Sequence, residues 1–298
     1  MDNKPETKKN KVLIKVLLLV IVLSIVILSL FMCNYKTKKD VETKKTAKQT
    51  TTEEQTTLPT YEIGKPKALS KKEIKATIKE YSKNDYRFKE LYDHMDKYSK
   101  SELNKAINNP EMADFIIGCK YKDKKVYGGI TEEEKNEKYP LFNQWDERWG
   151  YVKYGDSNIG YAGCGPTCLS MVAYALTRDP KITPDKVAKY AEKQGHYVNN
   201  IGTSWTLFGA GAKHYGLRVS GLAVSKSEMK QTLKNGGLLI LAVGKGDFTL
   251  GGHFVVVYGY ENNGFKVNDP FSIARSKTYN FNRLAKQTKT MWAYYKKK

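Results

Sequence analysis

The sequence is poor in cysteine, which limits what its thiols can do. Only four of the 298 residues are cysteines: Cys33, Cys119, Cys164 and Cys168. Cys33 ends an apolar run and Cys119 lies in a region of helical pattern, so no framework of paired disulfides is indicated. The Cys164–Cys168 spacing suits a disulfide poorly on a helix, and it is a weak metal signature because no second ligand pair lies nearby.

Acidic side chains are scarce relative to basic ones. The chain has 31 Asp or Glu against 51 Lys or Arg, a formal net charge of +20, and residues 139–298 alone have 22 basic against 10 acidic side chains. A basic surface attracts anionic partners. Nucleic acid is not expected, because no Arg-rich helix, zinc knuckle or aromatic-basic platform accompanies the charge. The cytoplasmic membrane or an anionic cell-envelope polymer fits equally well, beside the simpler interpretation of solvated lysines.

Small residues are missing where cleavage of a signal peptide requires them. Residues 16–33, VLLLVIVLSIVILSLFMC, form an uncharged run that is long enough for a transmembrane helix. The bulky residues before Cys33 argue against cleavage and against lipid attachment at that cysteine. We therefore expect an uncleaved signal anchor. Lysines flank both ends of the run, so the orientation rests on the short N-terminus, residues 1–15, which is expected in the cytosol with the bulk of the chain outside.

The two segments after the apolar run differ in their apolar content. Residues 34–67 are rich in Lys, Thr and Glu and predict a flexible linker. Order is expected to begin near Leu69, because a capping box from Ser70 to Glu73 precedes apolar residues at helical spacing. We expect three or four short helices over residues 69–118, within a helical region over 68–138 that packs on the part of the chain that follows.

Residues 139–298 predict an α+β domain in which helices come first and antiparallel strands follow. Helical patterns cover residues 166–176, a segment beginning at Thr183, residues 203–215 and residues 227–234. Alternating or continuous apolar runs predict the strands, which lie at residues 217–224, 238–243, 253–260, 265–267 and 291–295.

Cys164 lies at the predicted start of the 166–176 helix. The unpaired N–H groups and the positive dipole end of a helix N-terminus lower the pKa of a thiol. Gly165, the next residue, allows another group to approach closely. Cys168 lies one turn further on, in line with Leu169 and Val172, and is expected to be buried. Cys164 is therefore the candidate nucleophile.

One histidine has the position that a catalytic base needs. His94, His196 and His214 fit surface or helix-end positions that require no further role. His253 follows two glycines and begins the apolar strand HFVVVYGY, so its ring can face a cleft. The chain returns as GFKVNDP, which places Asp269 to accept a hydrogen bond from His253. The alternatives are a hydrogen-bonded core histidine and a simple Asp-Pro turn.

An oxyanion donor is the remaining part of such a site. Gln144 lies in FNQWDERWG, upstream of Cys164, and its side-chain N–H can point to the same place as the Cys164 backbone N–H. The alternative is a structural glutamine in a loop rich in tryptophan.

These motifs together resemble the double-glycine, bacteriocin-processing cysteine peptidases, in particular their stand-alone, membrane-anchored relatives from Gram-positive bacteria. The resemblance covers roughly residues 139–298 and includes QWDERWG, CGPTC, GTSW, GDFTLGGHF and NDP. It implies a papain-like fold. It also implies that Cys164 is the nucleophile, His253 the general base and acid, Asp269 the orienting residue and Gln144 the oxyanion donor.

The sequence thus predicts a membrane-anchored extracytoplasmic cysteine peptidase that hydrolyses a peptide or amide bond in a substrate near the membrane. The reaction requires no metal or cofactor. Two alternatives remain open. A cell wall amidase or acyltransferase would use the same four residues, and a tethered envelope-binding module would retain the fold without activity.

Overall fold

The computed structural model of the protein describes residues 58–297. The apolar run predicted as a signal anchor, residues 16–33, lies outside these residues, as does most of the predicted linker. Within residues 58–297, no helix is both long enough and apolar enough to cross a membrane.

The helical region begins with four α-helices in short succession. They are α1 (Lys71–Tyr81), α2 (Tyr86–Asp93), α3 (Lys100–Asn108) and α4 (Ala113–Gly118), with 3-10 turns at Met95–Lys97 and Pro110–Met112. Helix α1 has the predicted capping box at Ser70, and α3 has another, in which Ser99 and Glu102 bond each other's backbone N–H. These caps satisfy N–H groups that the first turn of a helix leaves unpaired.

Contacts with the helical region begin before Leu69. The Tyr61 hydroxyl donates to Asp85 at 2.9 Å, and the Tyr61 ring packs on Tyr81 and Phe88. The Lys67 N–H donates to the Asn108 side chain at 2.7 Å. Order in the chain therefore starts earlier than the polar composition of 34–67 predicts.

Short elements connect the helical region to the sheet. They are α5 (Glu132–Asn136), β1 (Lys153–Tyr154), β2 (Ser157–Asn158), α6 (Ile159–Ala162), α7 (Cys164–Thr177), α8 (Pro184–Lys193), β3 (Tyr197–Val198), β4 (Gly202–Thr203) and α9 (Thr206–His214).

Two predicted helix starts differ from the structure. Helix α7 begins at Cys164 rather than Pro166, because proline needs no N–H partner anywhere in the first turn. Helix α9 begins at Thr206 rather than Thr203, because Gly202 and Thr203 pair with β3 instead. The helix predicted to begin at Thr183 has that residue as its N-cap and Pro184 as its first residue.

The C-terminal half forms one antiparallel six-stranded sheet. Its elements are β5 (Leu217–Leu222), α10 (Lys226–Lys234), β6 (Leu238–Val243), β7 (His253–Glu261), β8 (Gly264–Asn268), β9 (Thr278–Asn280), α11 (Phe281–Ala285) and β10 (Thr288–Lys296). The strand order is β5-β10-β6-β7-β8-β9. All five predicted strands are present, and β9 and α11 are additional. The α+β class is therefore confirmed.

The central strands are buried on both faces. Ile240, Ala242 and Val256 pack in the same core cluster as Cys168 and Leu169 of α7. The intervening residues of the same strands pack on the opposite face with Met229, Phe248, Phe265, Tyr279 and Leu284. Burial on both faces explains why residues 238–243 are continuously apolar instead of alternating.

The helical region packs on the sheet-containing part of the chain. Phe115 of α4 stacks on Tyr151 with ring centroids 4.8 Å apart, and both belong to the core cluster of α1–α4. Asn109 donates through its side chain to the backbone carbonyl of Phe271, and Trp145 donates to the same carbonyl at 2.8 Å. These contacts hold the loop at residues 269–275, which follows β8.

Candidate active site

Cys164 is the first residue of α7 and is half-buried, with Gly163 as the N-cap. Its side chain therefore lies at the N-terminus of the helix. Cys168, one turn along, is fully buried among the core residues of α7. Burial raises the pKa of Cys168 well above its ordinary value, with smaller contributions from Cys164 and Asp269. The burial predicted for Cys168 is therefore observed, whereas Cys164 is only half-buried.

Gly165 is in close contact with Thr203 of β4. A Cβ atom at Gly165 would lie 2.6 Å from the Thr203 methyl carbon and 2.8 Å from its hydroxyl oxygen. The Thr203 hydroxyl in turn lies 2.8 Å from that of Tyr154, in a buried pair. The close approach predicted for Gly165 is thus used to bring β4 against the start of α7.

His253 and Asp269 come together at one edge of the sheet. His253 is the first residue of β7, and Asp269 directly follows β8, the antiparallel neighbour of β7. The His253 Nε2 and Asp269 Oδ1 atoms are 2.7 Å apart, with both side chains almost completely buried. The other ring nitrogen, Nδ1, is thereby left for the Cys164 side.

The charge of His253 depends on its neighbours. Burial is the largest influence and by itself lowers the pKa of His253, because it penalises the imidazolium form. The Asp269 carboxylate, its hydrogen bond to the ring and the hydrogen bond with Cys164 outweigh burial and raise that pKa well above its ordinary value. The structure therefore favours an imidazolium beside the thiol.

Asp269 is held by its own loop as well as by His253. Its Oδ1 atom accepts a second hydrogen bond from the Phe271 N–H at 2.9 Å, and its backbone N–H donates to Ser276. Its Oδ2 atom is buried and has no hydrogen-bond partner within the described chain. One carboxylate oxygen thus performs both functions, orienting the ring and closing the loop.

Gln144 contacts the segment that leads into α7. Its Nε2 atom donates to the Gly160 carbonyl at 2.9 Å and lies 3.5 Å from the Ile159 carbonyl. The amide is almost fully buried but lines the same cavity as Cys164. Both recorded contacts of the Gln144 Nε2 atom thus go to backbone carbonyls of α6, and the buried Oε1 atom has no hydrogen-bond partner within the described residues.

Two cavities meet at Cys164 and His253. The larger, about 750 Å³, is lined by residues of β4, β6 and the loop before β7, with Trp205 and Ile201 exposed at its mouth. The smaller, about 280 Å³, contains Gln144, Phe271 and Arg275 and extends to the helical region. We call it the α3 cavity, because α3 and the segment before α1 form one wall of it with Pro66, Ser101, Asn104, Lys105 and Asn108.

Sequence reasoning missed this wall. Residues 101, 104, 105 and 108 form a polar stripe at helical spacing, which is the usual pattern of a solvent-facing helix surface. Only the packing of α3 on the sheet-containing part of the chain shows that this stripe lines a cavity and does not simply face solvent. No local signal in the sequence marks Lys105 or Arg275 as residues of a cleft.

A third cavity, about 800 Å³, is separate from this site. It contains Lys226, Lys245, Arg283 and Lys286, and it includes none of the four predicted site residues. Within residues 58–297, no group of three or more His, Cys, Asp or Glu side chains could hold a metal ion.

A thiol at a helix start, opposite an imidazole–carboxylate pair on an antiparallel sheet, is the arrangement of a cysteine-dependent hydrolase. The comparison with protein families gives the narrower assignment. The model of the Peptidase_C39 like family matches residues 136–298, and the chain belongs to this family. No curated protein matches the chain.

The solved structures to which the chain is similar include a peptidase domain and a putative peptidase. The peptidase domain of Streptococcus ComA, a bifunctional ABC transporter involved in quorum sensing, is 18% identical, with a TM-score of 0.39 over 53% of this chain and 99% of that one. A putative C39-like peptidase from Bacillus anthracis is 14% identical, with a TM-score of 0.36 over 57% of this chain and 99% of that one.

Proposed function

We propose that this protein is a cysteine peptidase in which Cys164 is the nucleophile, His253 the general base and acid, Asp269 the orienting residue and Gln144 the oxyanion donor. The observation that carries the proposal is the 2.7 Å contact between His253 and Asp269 in the cleft that contains Cys164. An imidazole held in this way keeps one nitrogen directed at the thiol.

The proposed reaction has two steps. The Cys164 sulfur attacks the substrate carbonyl carbon, the oxyanion accepts hydrogen bonds from Gln144 and the Cys164 backbone N–H, and His253 gives its proton to the leaving amine. Water, deprotonated by His253, then attacks the acyl-enzyme and releases the acid and the thiol. Dividing the reaction through an acyl-enzyme replaces one high barrier by two lower ones.

The cellular setting is part of the same proposal. Residues 16–33 would anchor the chain in the cytoplasmic membrane, with the papain-like catalytic domain, residues 139–298, on the extracytoplasmic side. The linker at 34–67 would keep the site near the membrane, where a peptide or protein is the substrate. The net charge of +20 supports an additional attraction to anionic envelope polymers.

The test follows alkylation of the full chain, purified in a mild detergent, by iodoacetamide between pH 4 and 9. Mass spectrometry identifies which cysteine is modified, and His253→Ala is compared with the parent. We expect Cys164 to react well below pH 8, because an imidazolium keeps the neighbouring thiol ionised, and Cys168 to remain unmodified.

The matched control is His214→Ala, which removes a histidine of α9 that does not line either cavity at Cys164. Its pH profile is expected to equal that of the parent. If Cys164 of the parent reacts only as an ordinary thiol does, or if His253→Ala leaves the profile unchanged, the proposed catalytic pair is wrong.

A further inference from the structure

The α3 cavity contains two cationic side chains beside Cys164 and His253 but no Asp or Glu. Of its fifteen lining residues, Lys105 and Arg275 are basic and none is acidic. A cavity of one sign of charge concentrates ligands of the opposite sign. The charges that line the α3 cavity therefore favour substrates with an anionic group.

Lys105 has no carboxylate partner within the described residues. Its ammonium donates to the Ser101 hydroxyl at 2.6 Å and lies 5.3 Å from the centre of the Tyr161 ring. Glu102 is the nearest acidic influence on it, but the Glu102 carboxylate accepts from the Ser99 N–H and Lys120 instead. Burial lowers the pKa of Lys105, and the charge of Glu102 opposes this effect only in part.

Arg275 adds a second positive charge, and its guanidinium contacts α3 and the segment before α1. Its side chain is 2% exposed, and its Nη2 atom donates to the backbone carbonyls of Gly64 and Asn108 at 3.1 and 2.7 Å. Its Nη1 atom has no partner among the described residues, and Asp269, Glu111 and Asp247 act on it only over longer distances. The hydrogen-bond acceptors of the guanidinium are thus neutral carbonyls, and no carboxylate lines the cavity beside it.

We propose that the α3 cavity binds a carboxylate group of the substrate next to the bond that is cleaved, with Lys105 as the residue that contacts it. The inference rests on the proposed peptidase function and narrows the substrate to peptides with an acidic group in this position. A substrate carboxylate satisfies the unpaired ammonium in a partly desolvated site, where charge-assisted hydrogen bonds are strong.

A pair of alkylating probes tests the proposal without a known substrate. Iodoacetate and iodoacetamide react identically, the Cys164 sulfur forming a bond to the methylene carbon as iodide leaves, but only iodoacetate has a carboxylate. The ratio of their rates at Cys164 is measured on the full chain and on Lys105→Met. Methionine keeps the length and the helix preference of lysine. We expect the variant to lower the iodoacetate-to-iodoacetamide ratio about fivefold. This factor corresponds to the stabilisation that a half-exposed ion pair provides.

Two further variants serve as controls. Lys105→Arg retains the charge and is expected to restore most of the parent ratio. Lys226→Met removes a lysine from the separate basic cavity and is expected to leave the ratio unchanged. If the iodoacetate-to-iodoacetamide ratio fell equally in Lys105→Met and Lys226→Met, only the net charge of the protein would matter. This result would overturn the assignment to Lys105.

The result separates this inference from the proposed function. Alkylation of Cys164 could be fast and dependent on His253 while the iodoacetate-to-iodoacetamide ratio is the same in the parent and in Lys105→Met. This result would refute the carboxylate site and leave the peptidase proposal standing. Slow alkylation of Cys164 by both probes in the parent protein would refute the peptidase proposal itself, and with it the substrate inference.

Small protecting ligands distinguish a terminal carboxylate from an acidic side chain. N-acetylglycine is compared with its amide, and N-acetylaspartic acid α-amide with its asparagine counterpart, each as a competitor of iodoacetamide at Cys164. If only N-acetylglycine protects Cys164, the cavity binds the carboxylate of a chain terminus. If N-acetylaspartic acid α-amide protects it, the cavity binds an acidic side chain. If no acid protects better than its uncharged counterpart, the proposal is wrong.

Discussion

At the scale of single residues, Asp269 has the largest effect among those that raise the pKa of His253. His253 is buried, which would make its ring neutral, and only the adjacent carboxylate and thiol reverse this effect. Because the pKa of His253 in the folded protein is raised, the imidazolium persists above the pH at which a free histidine loses its proton. In the proposed mechanism, the reactivity expected of Cys164 below pH 8 therefore depends on the charge of Asp269.

Asp269→Asn tests this dependence. Asparagine keeps an acceptor for the His253 and Phe271 hydrogen bonds but has no charge, so the pKa of His253 falls and the thiolate is lost at low pH. We expect the alkylation rate of Cys164 at pH 6 to drop about tenfold for each unit by which that pKa falls. The measurement is the pH profile of iodoacetamide alkylation.

Asp185→Asn is the matched control, because Asp185 is a similarly buried carboxylate that bonds Thr183 and lies outside the cavities at Cys164. Its profile should follow the parent. An Asp269→Asn profile that also follows the parent would show that hydrogen bonding, not charge, keeps His253 protonated.

The sequence predicts the positions of the reactive residues better than that of their surroundings. Cys164, His253 and Asp269 lie at the ends of a helix and two strands, and element ends are marked by local signals such as Gly, Pro and the onset of an apolar run. Lys105 and Arg275 have no such signal. Their positions follow from packing between segments far apart in sequence, for which a single sequence contains no local pattern.

At the scale of secondary-structure elements, the 269–275 loop is held from outside the domain that contains it. The Glu111 carboxylate, from the 3-10 turn before α4, accepts from the Ser272 hydroxyl at 3.1 Å and from the N–H groups of Ile273 and Ala274 at 2.8 and 2.9 Å. These bonds satisfy loop N–H groups that no strand pairs. The helical region thus supports the loop that carries Asp269.

Glu111→Ala removes this support. We expect faster hydrogen exchange at residues 272–276 and a free energy of unfolding lower by about 1 kcal/mol, since charge-assisted hydrogen bonds to a partly exposed loop are lost. Exchange measured by mass spectrometry, with urea denaturation, provides both values.

Glu132→Ala provides the comparison, because Glu132 forms only a surface ion pair with Lys135. It is expected to change neither quantity by a measurable amount. Equal exchange in the loop of both variants would mean that Asn109 and Trp145 hold the loop without Glu111.

At the scale of the whole molecule, Asp247 connects three distant parts of the chain. Arg283 donates to both of its carboxylate oxygens at 2.7 and 2.9 Å, Gln287 donates at 2.9 Å, and Lys65 lies 3.5 Å away. The hydrogen bond from Arg283 is the largest cause that lowers the pKa of Asp247 to about 2. The segment before α1, the loop before β7 and α11 thus share one ion cluster.

Asp247→Asn tests the contribution of this cluster to acid stability. A lowered pKa in the folded state stabilises the protein above the ordinary Asp pKa of about 3.9, and this stabilisation is lost as the pH falls through about 2. We expect the variant to be less stable by about 2 kcal/mol at pH 7. The difference from the parent should shrink between about pH 4 and pH 2. Urea denaturation at a series of pH values measures it.

Asp123→Asn is the control, because Asp123 is a fully exposed carboxylate beside Lys125. Its denaturation midpoint should equal that of the parent at every pH. A constant difference for Asp247→Asn across the whole pH range would contradict a role for its ionisation.

The wall of the α3 cavity has a consequence for inhibitor selectivity. Lys105, Asn104 and Pro66 precede residue 136, where the match to the family begins. A compound that reacts with Cys164 alone uses features that a cysteine peptidase family has in common. A compound that extends from Cys164 into the α3 cavity with an acidic group meets side chains supplied by a segment outside the shared domain. Such a compound would act on this protein in preference to family members that lack the segment.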